Sequence, residues 1–217
     1  MAEQIYTYSL DNKHEVFAQE RDKYYKKQID DFHKTGKTSE AVEVVNIFLF
    51  NTDGELLIQK RGKNKNHNPG LLDKSLGGHM KFGDSADFTA MVETVEELQT
   101  PSIALHDTVD FEKTRKLLRG YRESIAVLKE LNTGFFALDK IIDGKKIPLV
   151  NKAHVYVGIY NGTTKPSDKE ASGVLYYSLD DLKEEMEKSP EHFTGDLRFY
   201  MHKFERDFRD FVEHIKD

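Results

Sequence analysis

Three glutamates stand close together in the run GGHMKFGDSADFTAMVETVEELQT, which extends from Gly77 to Thr100. Glu93, Glu96 and Glu97 are spaced i, i+3 and i+4, which gathers them on one side of a helix whose residues each advance about 100°. Carboxylates this close repel, and each raises its neighbours' pKa unless a cation is shared among them. A hard divalent ion such as Mg2+ suits the set, because it takes oxygen ligands and keeps several waters. Phe88, Met91, Val95 and Leu98 fall on another side, with Val92 at its edge. Amphipathic spacing therefore predicts that this stripe packs on the core and the glutamates turn away from it. Asp84 or Ser85 can cap the first turn, and Gly77 and Gly78 read as a glycine-rich loop feeding the helix. A VETVEEL run by itself is ordinary solvated surface. What makes it a site is the fixed distance from the glycines to the acids.

A second group with chemistry precedes the glycines. The strand pattern Glu55 to Arg61 runs into GKNKNHNPG, a polar loop with Lys63, Lys65 and His67. Arg61 and Lys65 are the expected donors to a phosphate, since guanidinium and ammonium groups bind phosphate oxygens with charge-assisted hydrogen bonds. Lys63 reads as solvated surface.

The rest of the chain supplies the elements that must hold these groups. Residues 5–18 predict a hairpin turning at Asp11-Asn12-Lys13, and Glu20 to His33 a helix that Gly36 ends. Val42 to Phe50 is a strand rich in Val, Ile and Phe, followed by the turn Asn51-Thr52-Asp53-Gly54 and a return strand. Leu71 to Phe82 supplies one or two short strands. Residues 107–131 read as two helices, or one broken near Gly120, with Phe111, Leu118, Ile125 and Leu128 as an apolar stripe that packs on the parent domain or on a second subunit. Strands follow at 133–138, 154–160 and 173–178. Ser178 or Asp180 caps a helix that Ser189-Pro190 breaks, and a last helix carries Phe199 or Tyr200, Phe204, Phe208, Phe211 and Ile215 down one side. The expected class is α+β, with helices on a mixed sheet, in a single domain over 1–217 whose first 40 residues form the hairpin and helix and whose segment 107–131 is a helical insertion.

Composition narrows the function classes. The chain has 217 residues, 38% hydrophobic and 32% charged, enough for one substantial core. It contains no cysteine, which excludes disulfides, thiolate metal sites and a thiol nucleophile. The net charge of −6 argues against general nucleic-acid binding. There is no apolar run long enough to span a bilayer and no basic-then-apolar leader pattern at the start, so no membrane partner and a cytoplasmic location are expected.

The spacing of the run resembles the Nudix box, Gly-x5-Glu-x7-Arg-Glu-x2-Glu-Glu-x-Gly. Gly78 opens it, Asp84 stands at the first Glu, Val92 replaces the Arg, Glu93, Glu96 and Glu97 match, and Gln99 replaces the last Gly. EVFAQERDKYY, EAVEVVNIFLFNTDGELLIQKR, NPGLLDKSLGGHM and SLDDLKEEMEKSPEHFT are similar to the isopentenyl-diphosphate-isomerase-like branch, so the similarity covers most of 5–105 and 170–200. The resemblance implies an α/β/α sandwich and a hydrolase that cleaves a diphosphate linkage in a nucleoside diphosphate derivative or related small molecule with Mg2+ or Mn2+. It implies Glu93, Glu96 and Glu97 as metal ligands and catalytic groups, Arg61, Lys65, Gly77 and Gly78 as the substrate-binding set, and a possible homodimer. Glu170 is an alternative base. The isomerases use a cysteine in the segment matching Lys74–Gly78, which this chain lacks. His79 matches a histidine of that branch, either as a ligand or as a hydrogen-bonded structural residue. The loss of the box Arg at Val92 gives the competing expectation, a Nudix-like module that binds nucleotide without cleaving it.

Overall fold

The computed structural model describes residues 3–63, 68–142, 145–163 and 171–216. The chain opens with the hairpin β1 (Gln4–Ser9) and β2 (Val16–Glu20), paired antiparallel with Gln4 opposite Glu20. Helix α1 (Arg21–Thr35) follows and stops at Gly36, whose left-handed backbone (φ 73°) lets its N–H return to the Phe32 carbonyl. Strand β3 (Glu40–Phe50) is buried at every residue. It turns through Gly54, at φ 82°, into β4 (Leu56–Arg61). A Cβ on Gly54 would stand 2.6 Å from Val212, so the turn can lie against the last helix only as glycine.

β5 (Leu72–Asp73) and β6 (Leu76–His79) precede α2 (Ala86–Leu98). β7 (Ser102–Leu105), α3 (Thr108–Leu117) and a single 3-10 turn (Arg119–Tyr121) lead to the long hairpin β8 (Ala126–Ile142) and β9 (Lys145–Ile159). Last come β10 (Ala171–Tyr177), α4 (Leu179–Lys188), α5 (Gly195–Lys203) and α6 (Glu205–Ile215). The mixed sheet runs β10-β4-β3-β9-β8-β7, with β3 and β9 parallel and β8 and β9 antiparallel. The result is an α+β architecture.

Side chains alternate across the sheet, and each face has its own core. Val42, Val44, Phe48 and Phe50 pack with Tyr200, Phe208 and Phe211 of α5 and α6. Val45, Ile47, Leu49 and Leu57 pack with Ala90 and Leu98 of α2. The expected last helix is two helices joined at Phe204; Tyr200, Phe208 and Phe211 are buried, and Phe199 is half-buried. The stripe of 107–131 packs on the parent domain: Phe111 meets Phe211 at 5.7 Å, and Leu128 is fully buried. That segment is helical for only part of its length. From Ala126 it is strand, because Val127 faces one core while Ala126 and Leu128 face the other, a period of two.

Candidate active site

The site begins where two strands part. β3 and β4 share the register pair Phe50 with Leu56, after which β4 takes β5 as partner and β3 takes β6. Ser75, in the link from β5 to β6, seals the apex of this wedge. Its hydroxyl accepts from the Leu49 N–H at 2.8 Å and donates to the Leu57 carbonyl at 2.6 Å. Gly77 and Gly78 are therefore strand residues and not loop, paired with Asn46 and Val45.

Helix α2 lies over this wedge. Ser85 is its cap: it accepts from the Phe88 N–H at 3.2 Å. The rotation of the helix differs from the amphipathic expectation. Phe88, Met91 and Val95 are 52%, 41% and 51% exposed, and Leu98 is the one member of the stripe that is buried. The sheet instead receives Ala90 and Glu97, the latter 5% exposed, while Glu93 is half-buried and Glu96 exposed. A glycine explains how a glutamate fits there. A Cβ on Gly78 would fall inside the Glu93 carboxylate, so Gly78 is the hollow that admits it. Val92 is half-buried at the edge of the exposed ridge.

Glu97 accepts a 2.7 Å hydrogen bond from the Gln59 amide of β4, which orients the carboxylate. Two residues on, Arg61 donates to Asp73 at 2.9 Å. Asp73 also accepts from the Thr194 hydroxyl at 2.8 Å and lies 3.7 Å from Lys74. Burial works against the charge of Asp73, but Lys74, Arg61 and the hydrogen bonds outweigh it and hold the carboxyl below its usual range. His79 hydrogen-bonds the Tyr25 hydroxyl at 2.7 Å. Thus Glu93, Glu97, Gly77, Gly78 and Arg61 gather around the wedge, with Glu96 at its rim. Lys65, His67 and Glu170 lie outside the described residues. Gln59 and Asp73 escaped the sequence reading, although the alternation of LLIQKR puts Leu57, Gln59 and Arg61 on one face.

The donor set is carboxylate oxygen throughout, which fits Mg2+ or Mn2+ by chemistry. Among the described residues no three His, Cys, Asp or Glu side chains already converge as a metal-holding group. A groove of about 420 Å³ lies elsewhere, between α4, α5 and α6.

Acids of a helix seated over a glycine strand, in the wedge of a mixed sheet, mark an α+β fold with a carboxylate-lined wedge. The chain belongs to the Nudix family: the model of the NUDIX domain matches residues 41–197. It is 26% identical over 148 residues to an isopentenyl-diphosphate Delta-isomerase of Serratia proteamaculans, a match covering 68% of each chain. It is 39% identical over 66 residues to a Nudix hydrolase of Deinococcus radiodurans, covering 30% of this chain and 39% of that one. A crystal structure of a Deinococcus radiodurans protein superposes with a TM-score of 0.54 at 21% identity, covering 75% and 82% of the two chains, and shares the fold. Among the described residues no helix is long and apolar enough to cross a membrane.

Proposed function

We propose that the protein is a metal-dependent hydrolase that cleaves the diphosphate linkage of a small molecule, a nucleoside diphosphate derivative or a related compound. The observation that carries this is the seating of Glu93 over Gly78 with Glu97 held by Gln59. Folding half-buries one carboxylate and fully buries another, at a desolvation cost that a merely structural helix face avoids by pointing its acids outward.

Glu93 and Glu97, with Glu96 at the rim, would hold Mg2+ or Mn2+, which neutralises diphosphate oxygens and acidifies bound water when present. The residues of the chain do the rest. Gln59 keeps one Glu97 oxygen turned to the sheet. Arg61 stands at the same wedge to meet phosphate oxygens. Water attacks one phosphorus in line, the bond from that phosphorus to the bridging oxygen breaks, and a box carboxylate accepts the water's proton.

Isopentenyl-diphosphate isomerases among the relatives give a second reading, since they too take a diphosphate. One assay separates the two. Nucleoside diphosphate derivatives and isopentenyl diphosphate are incubated with Mg2+ or Mn2+, and products are identified by phosphorus and proton NMR. Monophosphate products from any of them support the hydrolase. A rearranged double bond with the diphosphate intact supports the isomerase. Tight binding without either product leaves the non-catalytic module.

A further inference from the structure

Phe82 stands just beyond the strand that carries Gly78, with half of its side chain in solvent (50% exposed). A lone exposed phenylalanine is ordinary surface. This one is held in place from several sides. The chain past β6 stays bonded to β1: the Tyr6 N–H donates to the Met80 carbonyl at 3.2 Å, Lys81 forms a bridge with Ile5, and the Phe82 N–H donates to the Gln4 carbonyl at 2.8 Å. The Tyr6 ring backs the Phe82 ring, with centroids 4.6 Å apart and planes tilted by 40°. The Tyr6 hydroxyl accepts from the Gly83 N–H at 3.0 Å, which pins the next residue as well. An aromatic ring fixed in this way loses little freedom when a second ring is laid on it.

The ring is also on the face that matters. Side chains of an extended segment alternate, so Gly78, Met80 and Phe82 form one row. Gly78 faces α2, since Glu93 fills its hollow, and Met80 and Tyr6 both pack in the core under α2. Four residues separate Phe82 from Gly78, at most about 13 Å of extended chain. A ribose and two phosphates cover such a span. A cavity of about 440 Å³ opens at Phe82, walled by Glu3, Gln4 and Lys81. Gln4 precedes Tyr6 by two residues in β1 and shares its face. Among the described residues the Gln4 amide and the Lys81 ammonium bond to no other side chain, and the Glu3 carboxylate stands 3.8 Å from Arg21. A ring for a π-face, beside an amide that both donates and accepts, is the chemistry by which proteins hold a nucleobase. A bare diphosphate has no use for the ring.

We propose that Phe82 is the stacking platform for the base of a nucleoside diphosphate substrate whose diphosphate lies at the wedge, with Gln4 meeting the edge of that base. This rests on the diphosphate reading above and names the group attached to it.

The test compares two probes in Mg2+ buffer: methylenediphosphonate, which has no base, and the α,β-methylene analogues of ADP and UDP, which resist cleavage between those phosphates. The chain has no tryptophan, so Phe82→Trp creates a single fluorophore at the platform. The nucleotide analogues should quench it and methylenediphosphonate should not. In calorimetry, Phe82→Ala should weaken the tighter of the two nucleotide analogues at least about tenfold, as loss of one stacked base does. Its affinity for methylenediphosphonate should stay within twofold of the parent, and Phe82→Tyr should retain nucleotide binding. Gln4→Ala should narrow the difference between the adenine and uracil analogues. Should Phe82→Ala unfold, Phe82→Leu and the Phe82→Trp fluorescence carry the comparison. Equal affinity of the parent for nucleotide analogues and methylenediphosphonate, or unaltered nucleotide binding without the ring, would overturn the platform and leave the diphosphate reading standing. A parent that binds none of the three probes would overturn both.

Discussion

The two flanks of helix α2 treat acidic side chains in opposite ways. Towards β8 and β9, carboxylates are matched by cations and imidazoles in one chain of contacts. Glu43 takes Lys152 and His154, each at 2.8 Å, and a hydrogen bond from Tyr8. His154 reaches on to Glu130 at 2.9 Å, and Glu130 to His106 at 2.7 Å. His106 meets Asp87 in the first turn of α2, which also accepts from Tyr156 at 2.7 Å. Towards the wedge, Glu97 is oriented by a neutral amide and Glu93 by the space over a glycine. The first arrangement locks the helix to the sheet; the second fits the acids of α2 to a hollow and an amide of the sheet. Both flanks are acidic in sequence, and it is the identity of the neighbours that separates a brace from a site.

The strongest way to break this contrast is to fill the hollow. Gly78→Ala puts a methyl group where the Glu93 carboxylate lies, so kcat/KM for a diphosphate substrate should fall by about 100-fold, because a small misplacement of a reacting group is that costly. Circular dichroism should be unaltered, and a variant with parental turnover would mean that Glu93 can be seated elsewhere without loss. Gln59→Leu should act more mildly. Losing one orienting hydrogen bond should lower kcat about tenfold with little effect on KM. An effect confined to KM would make Gln59 a substrate contact and not a brace for Glu97.

The matched flank should respond to pH and not to substrate. Burial lowers the pKa of His154, but its bonds to Glu43 and Glu130 outweigh this and leave it above the usual 6.5 of a histidine. A raised folded pKa means the stabilisation is complete below 6.5 and is lost as pH rises through the folded value. Glu43 and Glu130 are held below 4.5 despite burial, so their share is present above 4.5 and fades on acidification. The melting temperature should therefore decline as pH climbs above 6.5, and His154→Gln should flatten that decline. An identical slope in the variant would place the pH response elsewhere. The smallest effect belongs to the ridge: Phe88→Gln and Val95→Gln should each change stability by less than about 0.5 kcal/mol in urea unfolding. A loss of about 2 kcal/mol or more, usual for a truncated core side chain, would put the ridge in the core after all.

That last result bears on what a sequence can reveal. The hairpin, α1 with its terminal glycine, β3, the Asn51–Gly54 turn and α4 capped by Ser178 were all readable, because local turn chemistry and apolar runs agree with the tertiary structure there. The phase of α2 was not. Apolar spacing assumes that a helix buries its hydrophobic stripe, whereas this one buries Glu97 and exposes Phe88, Met91 and Val95. The missed clue was the small residues: Ala90 lets the helix approach, and Gly78 makes room for an acid. The start of β8 was hidden for another reason. Ile125 and Leu128 satisfy a helical spacing as well as a strand, and long-range pairing with β7 and β9 decides.

The wedge-facing carboxylates are proposed to hold a divalent ion, and calorimetric titration with Mn2+ tests that most directly. The parent should bind Mn2+, and Glu97→Gln, which keeps the shape of the side chain and removes its charge, should lose that binding at least tenfold together with diphosphate cleavage, with an unaltered melting transition. The same Mn2+ affinity in Glu97→Gln as in the parent would contradict it.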